Sequence, residues 1–592
     1  FCSINNNSYA YNNVGEFKIH ATISQIDILN LRLNILLGKH INPSLYTIYH
    51  YIFETLLVKD AQTNEWKANL AKEYKISDDK LAIEFTLREN VMWHDNFPFS
   101  AEDVKFTFDY ITENKTSNLE LKNYFRNIKN ILIIDKFKIK IYFYQKHFQN
   151  FQKIALFPIL PKHKYINGRV DSKVELALGI PNTIQQTLIG TGAYQLEGLE
   201  IKRDERVSNV KQKINLILNL KKNKNWWGDS DVSSLKKFNF EKVIIKIVNS
   251  DNIALELFER GELDFIMLNK KDYDHLKSIN GNSINSKIDL IKTQNKTNKT
   301  FSLIVLNLKK EMFSDKKIRK GLSLLIDRDK INKNFYESSV HTLVAPFDPF
   351  VATTKINLNT GNLFSHESNF GLSRSLQDEA TSARNDIDKI AMSARTTENL
   401  DRANVADSLK EANIFLNKNN KTKKNPLSFT ILVNNSIQAD QLSDLQLKAK
   451  KIGVKIDVEQ LSWKELWNRV IANNFDAFYF TYKLTDNNFD PMPLFHSKNI
   501  KKEMAEFGIF NYSKYKNQEV DSLLEKLSEL SFTEQDTRLM ILEKINKIIT
   551  EDMPVIFLLY DDNQYYAKNK KIKSFTDSSP YDLGVDYWWS SK

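Results

Sequence analysis

His94 stands between Trp93 and Asp95, and a Trp-His-Asp triplet offers an imidazole and a carboxylate for metal binding or proton transfer. A metal centre needs further ligands at matching spacing, and the ten histidines are dispersed along the chain. His94 therefore reads as a turn residue. Gly190 and Gly192 in Ile189–Leu196 (IGTGAYQL) look like part of a dinucleotide-binding loop, but Gln195 occupies the third glycine position and Tyr194–Leu196 continues as a strand instead of opening a helix. Those glycines are expected where two backbones approach closely. Gly321–Leu325 (GLSLL) lacks the closing glycine of a nucleophile elbow. There is no HExxH, no phosphate-binding loop and no CxxC, so no catalytic set, metal site or cofactor is assigned.

The elements around these residues follow from hydrophobic period. Ile83, Phe85 and Leu87 alternate with polar neighbours, as in a strand with one buried face. Asp95, Asn96 and Pro98 supply a turn, and Ser100 with Asp103 forms a capping-box-like start to a helix bearing Val104, Phe108 and Ile111. Glu16–His20 begins a first strand, Tyr46–Leu57 reads as an apolar helix, and Ile131–Tyr144 forms a hairpin split at Asp135–Lys136. Val243–Val248, Asp251–Arg260 and Gly261–Ile266 give strand, helix and strand. Thr300–Leu308 suits a fully buried strand, and Ile318, Leu322, Leu325 and Ile326 share one helical face. Further on, a strand at Leu427–Val433, a helix at Ala439–Lys451 and a strand at Val454–Val458 continue the alternation of an α/β fold. Thr533 and Asp536 are placed to cap a helix whose buried face is Ile541, Ile545 and Ile548.

At 592 residues the chain is long enough for several domain-sized units. Lys and Arg total 84 against 73 Asp and Glu, a net charge of +11, yet the lysines are scattered and no basic track is interleaved with aromatics. Nucleic acid is therefore not an expected partner. The single cysteine, Cys2, excludes an intrachain disulfide. The polar SINNNSYAYNN after it has the form of a spacer behind a lipid-bearing Cys, whereas Phe1 in place of a small residue fits a processed secreted terminus with a free thiol. No run approaches the ~20 apolar residues of a membrane helix.

Several motifs, in order, resemble one family. WHDNFPFSAEDV at Trp93–Val104 is similar to W/F-H-D-G-x-P-L-T-A-E-D-V, with Asn96 in place of Gly; Asn tolerates the left-handed turn. IGTGAYQL, NWWG at Asn225–Gly228, Phe313–Ile331 and Phe510–Leu530 match later motifs. The chain is thereby identified as resembling the family 5 extracellular solute-binding proteins, the oligopeptide, dipeptide and nickel receptors of ABC importers, including their long YejA-like members.

The resemblance implies an α/β, type II periplasmic-binding-protein-like fold of two lobes, with an extra subdomain in the first lobe and two crossovers, near residues 301 and 553. The expected division is a tether at 1–15, a lobe I core from 16–45, 188–300 and 554–592, a lobe I subdomain at 46–187, and lobe II at 301–553. Residues 351–399, where lysine nearly vanishes, form a compositionally distinct insertion in lobe II. It also implies a periplasmic or extracytoplasmic monomer that captures oligopeptides in an interlobe cleft and delivers them to ABC permease subunits.

Within Phe475–Phe495 (FDAFYFTYKLTDNNFDPMPLF), Asp490–Pro491 aligns with the family's closing Asp-Pro, and Asp486 falls one residue from the aspartate that holds the ligand's α-ammonium. Trp463, Trp467, Tyr479, Tyr482 and the Trp226–Trp227 pair are the aromatic candidates for lining the cleft. Two rivals stand beside this reading. A cleft hydrolase would need a nucleophile with a positioned base, and an adhesin or chaperone on the same fold would keep an exposed binding surface without closure.

Overall fold

The computed structural model describes residues 15–22, 50–60, 63–112, 122, 124–165, 188–203, 214–231, 237–248, 250–280, 287–294, 299–343, 412–413, 427–484, 490–500, 511–531, 533–573 and 585–590. Cys2, Asp486 and the insertion at 351–399 lie outside them. The chain divides into two compact units, the first drawn from Phe1–Asn295, Ser528–Thr533 and Asn563–Lys592, the second from Lys296–Leu527 and Glu534–Asp562.

The main strands of unit 1 are β1 (Glu16–Thr22), β2 (Ala71–Ile76), β3 (Ala82–Leu87), β4 (Ile128–Asp135), β5 (Lys138–Phe143), β6 (Tyr194–Arg203), β7 (Ile214–Lys222), β8 (Lys242–Val248), β9 (Phe265–Leu268) and β10 (Ile288–Gln294). One sheet runs β1-β8-β7-β6, with β1 parallel to β8, and a second, antiparallel, runs β2-β3-β5-β4. Alternation decides which face is buried: Ile83, Phe85 and Leu87 of β3, and Val243, Ile245 and Ile247 of β8, are all in the core. After β3 the turn passes through Asn96 at φ 63°, the left-handed conformation that the family's glycine would take. Ser100 N–H then donates to Asp103 Oδ2 at 3.0 Å while Glu102 N–H reaches Ser100 Oγ at 3.3 Å, and these bonds start α1 (Ala101–Thr112). Val104, Phe108 and Ile111 are fully buried along it.

The apolar run Tyr46–Leu57 is not one helix. Residues 50–52 are helical, Thr55 then makes a β-bridge to Pro158, and Leu57–Lys59 is a strand. Tyr51, Ile52, Phe53, Leu56 and Leu57 are all buried, and in such a run tertiary pairing overrides the helical pattern; residues 46–49 lie outside the described residues.

Unit 2 is built on a six-stranded mixed sheet: β11 (Lys299–Leu306), β12 (His341–Thr342), β13 (Ser428–Val433), β14 (Lys455–Gln460), β15 (Ala477–Leu484) and β16 (Val555–Asp561), in the order β12-β16-β11-β15-β13-β14. Ile304, Leu306, Ile431, Val433, Ala477, Tyr479 and Ile556 meet on one face, against Leu322 and Leu325 of the segment containing α2 (Lys316–Leu324).

Val555–Asp561 was expected on the first-lobe side of a boundary at 554, but it is β16, paired with β11 inside unit 2. Five consecutive buried residues, Val555–Leu559, suit a strand covered on both faces. The chain re-enters unit 1 at Asn563, where β17 (Asn563–Asn569) pairs between β9 and β10. The helix Gln535–Asp552 turns Leu542, Ile545 and Ile549 inward together with Arg538, and leaves Ile541 and Ile548 half-buried on its flanks. Its N-cap is Glu534, without a side-chain cap. The helix expected at Ala439–Lys451 is two, Ser436–Gln441 and Ser443–Lys451, joined at Leu442.

Candidate ligand-binding site

β15 sorts its aromatic residues by face. Ala477 and Tyr479 point into the aliphatic core, where the Tyr479 hydroxyl donates to Gln441 Oε1 at 2.8 Å. Phe478, Phe480 and Tyr482 project from the other face, as period two requires.

The helix α3 (Trp463–Ile471) supports that second face. Ser462 caps it by accepting the Glu465 N–H at 3.3 Å, which fixes the start of the helix and buries Leu466, Trp467 and Val470. Trp467, 5% exposed, packs edge-on against Phe480 (5.9 Å between centroids), Phe478 (6.1 Å) and Trp463 (5.3 Å), and tilts onto Tyr512 (5.4 Å). Trp467 is thus core support and not a lining residue: four ring neighbours surround it. Trp463 is 53% exposed and presents its indole to solvent.

Tyr482 is half-buried and stacks on Phe480 at 6.3 Å and 17°. Burial, and secondly the charge of Asp490, push its phenol well above the usual tyrosine range, so it stays a neutral donor. Asp490 Oδ1 accepts the Met492 N–H at 3.0 Å, a turn bond before the short helix Met492–Phe495. One carboxylate oxygen is therefore used in the turn while its charge remains felt at Tyr482.

Across the sheet Tyr482 lies opposite Phe301, Phe301 opposite Tyr560, and Tyr560 opposite His341. Sequence reasoning did not find Phe301, Tyr560 or His341. They sit about 180 to 260 residues apart in pairs and only strand register joins them.

Trp226 is not a lining residue. It is 4% exposed in unit 1, where its Nε1–H donates to Glu54 Oε1 at 3.1 Å while Trp227 Nε1–H donates to Glu54 Oε2 at 2.8 Å. A buried indole needs an acceptor, and one carboxylate here serves two. The Arg88 guanidinium lies 4.2 Å over the Trp227 ring and pairs with Asp231 at 2.6 Å. Burial pushes the Glu54 carboxyl up to about 7 despite the hydrogen bonds of Trp227, Thr191 and Trp226, which work the other way. Glu54 also escaped sequence reasoning, although the Trp-Trp pair signals a need for buried acceptors.

His94 is a structural residue of unit 1. Gly190 N–H donates to its Nδ1 at 3.2 Å, which leaves Nε2 as the protonated nitrogen donating to Gly192 O at 2.9 Å. Burial pulls its pKa down to about 4. The two glycines lie against Tyr51 and Ile52: a Cβ on Gly190 would fall 1.7 Å from Ile52 O, and one on Gly192 2.6 Å from Tyr51 O. Close backbone approach is therefore their role. Among the described residues no group of three or more His, Cys, Asp or Glu is placed to hold a metal ion, and no helix is long and apolar enough to cross a membrane.

Trp463 and Tyr482 thus lie over a packed aromatic layer of unit 2, with the charge of Asp490 felt at Tyr482. Residues 65–505 match the family described as bacterial extracellular solute-binding proteins, family 5 Middle. The oligopeptide-binding protein AppA of Bacillus subtilis (strain 168) is 23% identical over 92% of this chain and 87% of its own length. YejA of Escherichia coli (strain K12), an uncharacterized protein, is 20% identical over 93% of this chain and 85% of its own. The structure of B. subtilis AppA in complex with a nonapeptide superposes with a TM-score of 0.59 at 20% identity, over 98% of this chain and 99% of that one. The fold is the α/β type II periplasmic-binding-protein fold. A family match spanning most of the chain carries the conclusion: this chain belongs to the bacterial extracellular solute-binding proteins, family 5.

Proposed function

We propose that this chain is the extracytoplasmic binding component of an ABC importer, that it captures oligopeptides, and that it passes them to a membrane permease. The observation that carries the reading is the unit 2 surface of Trp463 and Tyr482, held by Trp467 and Phe480 beside Asp490. Rigid rings offer contact area at low entropic cost and tolerate varied side chains, while a carboxylate is a strong partner for a peptide's ammonium group. Asp490 and Asp486 are the residues proposed to meet that ammonium. Ligand stabilises the bound conformation by its differential affinity, and no bond-making is required of the protein. The AppA relative, solved with a nonapeptide, supports peptide as the ligand class.

Native mass spectrometry of the protein purified without denaturation tests this. Peptide masses released on unfolding are expected; release of a sugar or a metal complex in their place would overturn the reading.

A further inference from the structure

Four rings stand in register across four adjacent strands of unit 2: Tyr482 on β15, Phe301 on β11, Tyr560 on β16 and His341 on β12. Directly opposed residues of an antiparallel pair project from the same face, so the rings form one row about 14 Å long at ordinary strand spacing. Phe301 and Tyr560 stack with centroids 6.0 Å apart at 29°, and Tyr560 and His341 at 4.5 Å and 15°. Phe301 is 4% exposed and acts as the floor; Tyr482, Tyr560 and His341 are half-buried, with the His341 side chain 40% exposed.

Tyr560 reaches this face only through an irregularity. Ser302 pairs with Leu559 and Leu303 with Phe557, which leaves Leu558 as the extra residue of a β-bulge. Leu558 and Leu559 consequently both enter the aliphatic core, and Tyr560 emerges on the face of Phe557 and Phe301. Strict alternation would have put Tyr560 with Ile556 and Leu558, in that core. A bulge interrupts the ladder, and bulges recur beside binding sites because they re-aim a side chain.

Charges of both signs border the row. Asp490 acts on Tyr482, Lys299 is two residues before Phe301 on the same face, and His341 Nε2 lies 3.3 Å from Asp562 Oδ1.

We propose that this row is a side-chain subsite that selects peptides bearing an aromatic residue, with Tyr560 and His341 as its specificity-determining residues. The proposal rests on the oligopeptide reading above. Ring-on-ring contacts favour an aromatic side chain over alanine both by area and by stacking.

Isothermal titration with an alanine-rich peptide series, identical except for one Phe or Trp moved along the chain, tests it. At one position the aromatic peptide is expected to bind roughly tenfold more tightly than its alanine parent, a ratio that follows from ring stacking and burial. Tyr560→Leu should bring that ratio to within about twofold, and Tyr560→Phe should keep it, since the ring and not the hydroxyl is what is used. His341→Leu, on the two-residue edge strand, gives an independent reading and should also lower the ratio if Tyr560→Leu does not fold. Peptides that bind without any aromatic preference, or a preference unchanged in both Leu variants, would overturn the subsite and leave the peptide reading standing. Failure of every peptide to bind would remove both.

Discussion

The indole N–H of Trp227 donates to Glu54 Oε2 at 2.8 Å, and Glu54 as a whole is 9% exposed. That bond, with its partner from Trp226, ties Glu54 to two indoles of unit 1, and its carboxyl is one of the groups through which the unit responds to pH.

The Glu54 carboxyl is raised from 4.5 to about 7. The folded protein thus holds this proton more tightly than the unfolded chain, so the stability it contributes is full below pH 4.5 and is lost as pH rises to 7, by about 3 kcal/mol. Desolvation pulls half-buried His94 and His20 down to about 4 and His147 to about 3, and their contribution has the opposite sign: full above 6.5 and lost as pH falls toward 4. Three groups outweigh one, and wild-type Tm is expected to rise between pH 4.5 and 6.5. Glu54→Gln removes the opposing group, and its Tm should rise more steeply over the same window. Parallel Tm curves for the two proteins would show that Glu54 does not titrate there.

His94→Ala strands the Gly190 N–H and leaves the Gly192 carbonyl only the 3.5 Å bond from Asn223 Nδ2. An unsatisfied buried group costs about 1–3 kcal/mol, so a loss of about 2 kcal/mol in urea unfolding is expected. Part of the acid sensitivity should disappear with it.

Gly190→Ala places a Cβ 1.7 Å from the Ile52 carbonyl oxygen, a backbone atom that cannot swing away. Destabilisation of more than about 3 kcal/mol, read as lost soluble yield and lowered Tm, is expected. Gly198, in β6, has nothing within 4 Å of the corresponding position, and Gly198→Ala should stay within about 1 kcal/mol of wild type. Equal effects of the two substitutions would contradict the close approach.

At the proposed ammonium site, Asp486→Asn and Asp490→Asn should weaken free-amine peptides more than their N-acetylated forms, by about tenfold if a charge-assisted bond is lost. Competition binding with the two peptide forms measures this. Equal loss for both forms would assign the carboxylates to the turn alone.

Local order was legible in the chain. The β3 strand, the Asn96 turn and α1 could be read because alternation, turn chemistry and caps act within a few residues, and motif order pointed to the family. The misreadings arose where distant contacts decide. Tyr46–Leu57 looks helical until Thr55 finds Pro158, and Val555–Asp561 shows its apolarity but not which sheet receives it. Among the aromatic candidates, Trp463 is exposed whereas Trp226 and Trp467 are as aromatic but buried, a difference that packing alone creates. The bulge at Leu558, which decides the direction of Tyr560, leaves no mark in composition or period.

Peptide is the ligand proposed for this family 5 protein. Isothermal titration of the refolded, ligand-stripped chain with a defined nonapeptide mixture, alongside free amino acids, sugars and nickel complexes, tests it most directly. Saturable heat from the peptides alone, at Kd of order micromolar or tighter, is the predicted result; saturation by a sugar or metal complex with peptides silent would contradict it.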